Sequence, residues 1–156
     1  ILEKMEVRSL PFLGFLIHQK LVEKIGLPDK SFFIAADDTE YCLRVKQVGS
    51  KLYLAGKSWI EHPKAHSQEY KVLGKKINYV SLPPWKRYYD TRNRIFIGKK
   101  HFGFKLYSQT LPSLLFRLLI SMMNEKNKSQ QLKAYCLGLY DGLTGKGGKR
   151  HEYWRL

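Results

Sequence analysis

Apolar positions along the first eighty residues come in short blocks punctuated by Gly, Pro and Asp. Residues 1–17 give a strand, a break at Pro11 and an apolar stretch, FLGFLI. In HQKLVEKI, residues 18–25, apolar side chains fall at 21, 22 and 25, one face of a short helix, and Gly26 is placed to stop it. GLPDKS reads as a turn and FFIAA as a buried strand. A helix is expected over 39–48, ended by Gly49, then two short strands, KLYLA and SWIEH, around a turn at Gly56. Beyond His62 the pattern changes, because residues 63–84 are polar and irregular and close on LPP. Helical spacing then takes over, in WKRYYDTRNRIFIGKK at 85–100 and in segments at about 104–124 and 129–143. The tail TGKGGKRHEYWRL is rich in Gly and Lys and is expected to be mobile. The chain reads as α/β first and all-helical afterwards, with expected units at 1–84 and 85–143 and a flexible basic tail at 144–156.

Composition limits the classes. A chain of 156 residues is one domain's worth, and 44% apolar with 13% aromatic residues excludes a wholly disordered chain. The net charge of +15 is unevenly placed: residues 1–84 hold 13 bases and 9 acids, residues 85–156 hold 15 bases and 4 acids. Such a half attracts polyanions, whether nucleic acid, an anionic membrane surface or phosphorylated substrates. Cys42 and Cys136 have neither metal spacing nor a disulfide framework and are expected to be buried thiols of a reducing compartment. The densest apolar run, LPSLLFRLLISMM at 111–123, is interrupted by Arg117 and falls short of the ~20 residues needed to cross a bilayer. The chain begins ILEKMEV, without an initiator Met, and is expected to be a piece of something longer.

One stretch stands out in so basic a chain. SFFIAADDTEYCLRV sets Asp37, Asp38 and Glu40 directly after an apolar run. The structural reading is a helix start: Asp37 as N-cap, Glu40 completing a capping box, the acids complementing the helix dipole. The chemical reading follows from position, since α/β folds bind ligands beyond the carboxyl ends of strands. A carboxylate there can take a proton from a substrate hydroxyl within ~2.6–3.2 Å. Arg44, in the same expected helix, either keeps the cluster ionised or is a solvated base.

The residues resemble a known pattern over positions 12–97. Gly14, Leu16 and Ile17, then Ile25 and Gly26, Pro28 and Asp29, Phe32 and Phe33 occur in order. Asp37, Asp38, Glu40, Cys42, Leu43, Arg44, Gly49 and His62 follow, with Tyr88, Tyr89, Arg92 and Asn93 in a later helix. This order resembles the acceptor-side half of family 2 glycosyltransferases of the GT-A fold, in the bacterial rhamnosyl- and galactofuranosyltransferase branch.

The resemblance implies the C-terminal half of a GT-A nucleotide-diphospho-sugar transferase domain, with a small mixed sheet and a helical C-terminal extension. It implies an inverting, metal-dependent transfer of sugar from a nucleotide-sugar donor to a glycan or lipid-linked acceptor, in bacterial cell-surface polysaccharide synthesis. Asp38 matches the catalytic base, with Asp37, Glu40 and Arg44 binding or orienting the acceptor. His62 matches the ligand of a divalent cation, Mn2+ or Mg2+, on the donor diphosphate, with His66 a weaker substitute, and Arg92 is expected, on weaker grounds, to approach the diphosphate or the acceptor. Asn93 reads as a structural hydrogen-bonding residue, His18 and His101 as surface residues. The D-x-D-type motif of the donor half is expected upstream, so the missing N-terminal half is itself an expected partner and the fragment alone is expected to be inactive. The expected location is cytoplasmic or peripheral at the inner face of the cell membrane, with an anionic membrane surface as a further partner. Two other classes remain open: a basic nucleic-acid-binding module, which leaves the repelling carboxylates unexplained, and a membrane-tethering module without catalysis.

Overall fold

The computed structural model describes residues 3–63, 67–72 and 75–156. Its first part pairs β1 (Lys4–Val7) with β2 (Leu52–Ala55), antiparallel and in register from Lys4 opposite Ala55 to Val7 opposite Leu52. Between them run α1 (Gln19–Ile25), a 3-10 turn (Lys30–Phe32) and α2 (Asp37–Gln47). Gly26, at φ +78°, stops α1, and its N–H bonds the Val22 carbonyl. His18 caps the other end of α1, accepting from the Lys20 N–H at 3.2 Å, and it is exposed as expected. The core of this part is Cys42, Val45 and Leu52, with Val7, Phe15, Leu21 and Ile25 against it.

A second antiparallel pair, β3 (Ser67–Val72) and β4 (Lys75–Val80), occupies much of the segment expected to be irregular. The expected small mixed sheet is therefore two separate antiparallel ribbons among the described residues. The FFIAA and SWIEH segments form no strand. For FFIAA the reason is backbone geometry: Phe33, Ala35 and Ala36 all have positive φ, between 62° and 69°.

The rest is helical. α3 (Pro84–Ile97) starts on Pro83 and Pro84, where a missing N–H costs nothing. Two π-helical turns, Gly98–Phe102 and Leu106–Thr110, lead into α4 (Leu111–Asn124), and α5 (Lys128–Thr144) returns along α3. The approach of α5 to α3 is close because Gly138 and Gly142 lie at the contact. A Cβ on Gly138 would stand 2.7 Å from the Tyr88 carbonyl oxygen, and one on Gly142 would stand 2.8 Å from Ile95 Cδ1. Tyr88, Tyr89 and Ala134 form the core there, and Ile95, Leu106 and Leu114 a neighbouring one.

The tail expected to be flexible is instead docked. Asp141 is buried and accepts from Tyr88 Oη, from Arg150 Nε at 2.8 Å and from Trp154 Nε1 at 2.8 Å. The Tyr89 hydroxyl accepts from the Arg150 N–H, and the Gly148 N–H bonds the Ser31 carbonyl at 2.7 Å. These contacts also cross the boundary expected at residue 84, because Ser31 belongs to the first part. The aromatic anchor Trp154 and the charge of Arg150 outweigh the freedom that three glycines at the tail's start suggest. Cys42 is buried as expected, but Cys136 is exposed on α5.

Candidate active site

Asp37 and Asp38 open α2, and the route of the chain into that helix is unusual. Its N-cap is Ala36 in the left-handed region with no side-chain cap, so the expected capping box of Asp37 and Glu40 is not formed. Three non-glycine residues at positive φ within four positions cost roughly 1–2 kcal/mol each. Two adjacent residues of α3 hold this loop. Asn93 Nδ2 donates to the carbonyls of Phe32, Ile34 and Ala35 at 3.0, 2.8 and 2.7 Å. Arg92 Nη2 donates to the carbonyls of Ser31 and Phe32 at 2.9 and 2.8 Å. The carbonyls a strand would have paired are satisfied by side chains.

Both acids are half-buried. Asp38 Oδ1 accepts from the Thr39 N–H at 2.6 Å and the Thr39 hydroxyl at 3.2 Å. Among the described residues Oδ2 has no hydrogen-bond partner. One oxygen is fixed and the other is open, the arrangement a proton acceptor needs. Beside the start of α2 lies a cleft of about 380 Å³, lined by Ala36, Thr39, Arg94, Gln109, Thr110 and Ser113 among others. Asp38 is the chain neighbour of Thr39 and does not itself line the cleft. The side chains of Gln109, Thr110 and Ser113, contributed by the second π-turn and α4, offer neutral donors and acceptors of the kind that recognise hydroxyls.

Glu40 and Arg44 do something other than was expected. The Glu40 side chain is fully buried and accepts from Lys100 Nζ at 2.8 Å, Arg44 Nε at 3.0 Å and His101 Nε2 at 3.1 Å. Burial pushes its carboxyl up, but hydrogen bonds from Lys100 and His101 and the Arg44 charge outweigh this and hold it below the ordinary range. Arg44 spends its remaining nitrogens on the carbonyls of Ile25 and Leu27, at 2.7 and 3.0 Å. Both side chains have their partners inside the fold: together they tie α2 to the end of α1 and to the first π-turn. His101, expected at the surface, is nearly buried, with Nδ1 3.0 Å from Gln47 Nε2.

Arg92 is likewise structural. It is fully buried, with its guanidinium 4.7 Å from the Tyr89 ring centre and Nη1 on the Gly148 carbonyl at 2.7 Å. Every nitrogen is engaged internally, which leaves none to meet a diphosphate. Burial lowers its pKa, against the opposing effect of Tyr88.

His62 lies in the exposed segment after β2, with Nδ1 2.8 Å from the Pro63 carbonyl. A carbonyl only accepts, so Nδ1 is the donor in that bond, and Nε2 has no hydrogen-bond partner among the described residues. One imidazole is not a site, however. Among the described residues no group of three or more His, Cys, Asp or Glu could hold a metal ion. His66 lies outside the described residues.

The residues that sequence reasoning missed are Lys100 and His101, sixty positions from Glu40, and the cleft-lining Gln109, Thr110 and Ser113. None stands in a recognisable pattern. The Arg92–Asn93 pair was visible, but its target was not.

No family model matches the chain, and no solved structure matches it. Among curated proteins it is similar to the dTDP-rhamnosyl transferase RfbF of Shigella flexneri, with 28% identity over 141 residues. The match covers 89% of this chain and 47% of that protein, so the chain spans about half the length of the curated relative it matches. That likeness, running through the loop, α2 and the helices behind them, suggests a glycosyltransferase.

Proposed function

We propose that this chain is the acceptor-side part of an inverting glycosyltransferase of family 2 and the GT-A fold. The observation that carries the proposal is the likeness to a dTDP-rhamnosyl transferase along nearly the whole chain. The geometry at Asp38 adds a chemical role. With Oδ1 held by Thr39, Oδ2 is free to accept the proton of an acceptor hydroxyl lying in the cleft beside α2. That oxygen attacks the anomeric carbon of a nucleotide-diphospho-sugar, and the diphosphate leaves from the opposite face. The substrates proposed are such a donor and a glycan or lipid-linked acceptor, in bacterial cell-surface polysaccharide synthesis.

Asp37 shares the start of α2 and is proposed to orient the acceptor. Gln109, Thr110 and Ser113 are proposed to bind its hydroxyls. A divalent cation, if bound, would stabilise charge on the leaving diphosphate. Among the described residues His62 is proposed as one ligand, with further ligands proposed to come from another part of the enzyme. The donor-binding half is proposed to belong to the same enzyme, which the half-length match to the relative supports.

The test is a comparison of two preparations. The 156 residues alone are expected to transfer no sugar and to bind a nucleotide sugar weakly or not at all, whereas the enzyme that includes a nucleotide-binding half turns over. Robust transfer by the 156 residues alone would contradict the proposal.

A further inference from the structure

We propose that the outer face of α4 and the lysines around it form a docking surface for an anionic lipid bilayer, with the helix lying in the plane of the interface. Leu115, Phe116, Leu119 and Met123 fall within one arc of about 100° of α4. Leu115, Leu119 and Met123 are 59%, 54% and 79% exposed. The opposite side of the helix buries Leu114 and Ile120 in the protein's core. α4 is thus apolar on two faces, and only one of them is covered by the described residues. Leu115 also walls a groove of about 320 Å³ between α4 and α5, with Leu111, Leu118, Leu139 and Leu143. The exposed strip therefore runs on into an apolar recess.

Charge identifies the occupant. Residues 99–140 hold seven bases and one acid. Lys105 precedes α4, Lys126 and Lys128 follow it, Lys133 lies on α5, and all four are exposed. The acid, Glu125, is turned inward and accepts from the hydroxyls of Tyr79 and Ser81. A second copy of the chain would bring like charge against like across the same patch. A bilayer with anionic headgroups complements it, with apolar side chains entering the acyl boundary and lysines reaching the phosphates. At 14 residues α4 is too short to span, and no helix among the described residues is long and apolar enough to cross a membrane. The proposal does not depend on the sugar-transfer reading.

Vesicle flotation of the whole 156-residue chain tests it, with phosphatidylcholine alone and with added phosphatidylglycerol. Binding is expected with the anionic vesicles and not with the neutral ones, and it is expected to weaken as salt rises. Leu115→Ser/Leu119→Ser/Met123→Ser is expected to lower binding about tenfold or more with an unchanged circular dichroism spectrum. Lys126→Glu/Lys128→Glu/Lys133→Glu is expected to remove the preference for anionic lipid, and it decides the matter alone should the apolar variant unfold. Absent binding, equal binding to both vesicle types, binding indifferent to these variants, or a dimer in light scattering that the apolar variant dissociates would each overturn the proposal.

Discussion

The side-chain amide of Asn93 donates to the Ala35 carbonyl at 2.7 Å, joining the middle of α3 to the residue two before Asp37. With the bonds to Phe32 and Ile34 it fixes a loop whose backbone would otherwise relax from three positive φ angles. The direction in which Asp37 and Asp38 face is thus set from α3. Asn93→Ala is expected to leave the carbonyls of Ile34 and Ala35 without their amide donor, while that of Phe32 keeps Arg92, and to destabilise the fold by about 2–3 kcal/mol, measured by urea denaturation. Asn93→Asp, which keeps the shape but loses the donors, is expected to be as damaging.

Arg92→Lys separates a structural role from a ligand-binding one. A lysine cannot reach the carbonyls of Ser31, Phe32 and Gly148 together, so a loss of about 2–4 kcal/mol in stability is expected. If Arg92 served a diphosphate instead, stability would hold and only donor affinity in the complete enzyme would fall.

Gly138→Ala tests the contact of α3 with α5. Intrinsic helix propensity favours Ala over Gly by ~1 kcal/mol. The new Cβ would meet the Tyr88 carbonyl oxygen at 2.7 Å, and backbone cannot swing aside as a side chain can. A net destabilisation of ~1–3 kcal/mol is expected, read as a lowered thermal midpoint. A stabilised variant would show that the helices pack less closely.

Acid should loosen the fold through Glu40 and Asp141. In each, burial pushes the carboxyl up. Hydrogen bonds more than reverse it, from Lys100 and His101 to Glu40 and from Tyr88, Trp154 and Arg150 to Asp141. Folded values below the unfolded ones mean that the unfolded chain takes up protons first as pH falls. The contribution is complete above the ordinary carboxylate range near pH ~4 and is lost as pH falls through the depressed folded values. The urea midpoint is expected to fall steeply below that range, and Glu40→Gln is expected to lower the midpoint at neutral pH and to flatten the fall.

Local signals in the sequence reached some of this. Gly26 and Gly49 marked the ends of α1 and α2, and Pro83–Pro84 the start of α3, because capping and proline chemistry are local. FFIAA looked like a strand because apolar β-forming residues carry no trace of the Asn93 amide that bends them sixty positions away. Glu40 and Arg44 read as acceptor-side residues through the resemblance and their nearness to Asp38 in sequence, and nothing local shows that Lys100 and His101 come to Glu40 from sixty positions away. The tail looked loose from its glycines, while the buried Asp141 that holds it sits in a helix with no outward sign. The place of Asp38 at a helix start was legible, its role is still a proposal, and its half-held carboxylate became visible only with Thr39 in place.

The most direct measurement is the transfer rate of Asp38→Asn in the complete enzyme, with donor and acceptor binding followed in parallel. An amide keeps the Thr39 contacts to its carbonyl oxygen but cannot take the acceptor's proton. Turnover is expected to drop by roughly 10²–10⁴-fold with both affinities held within a few-fold. An unchanged rate would remove Asp38 as the base and with it the account of this site.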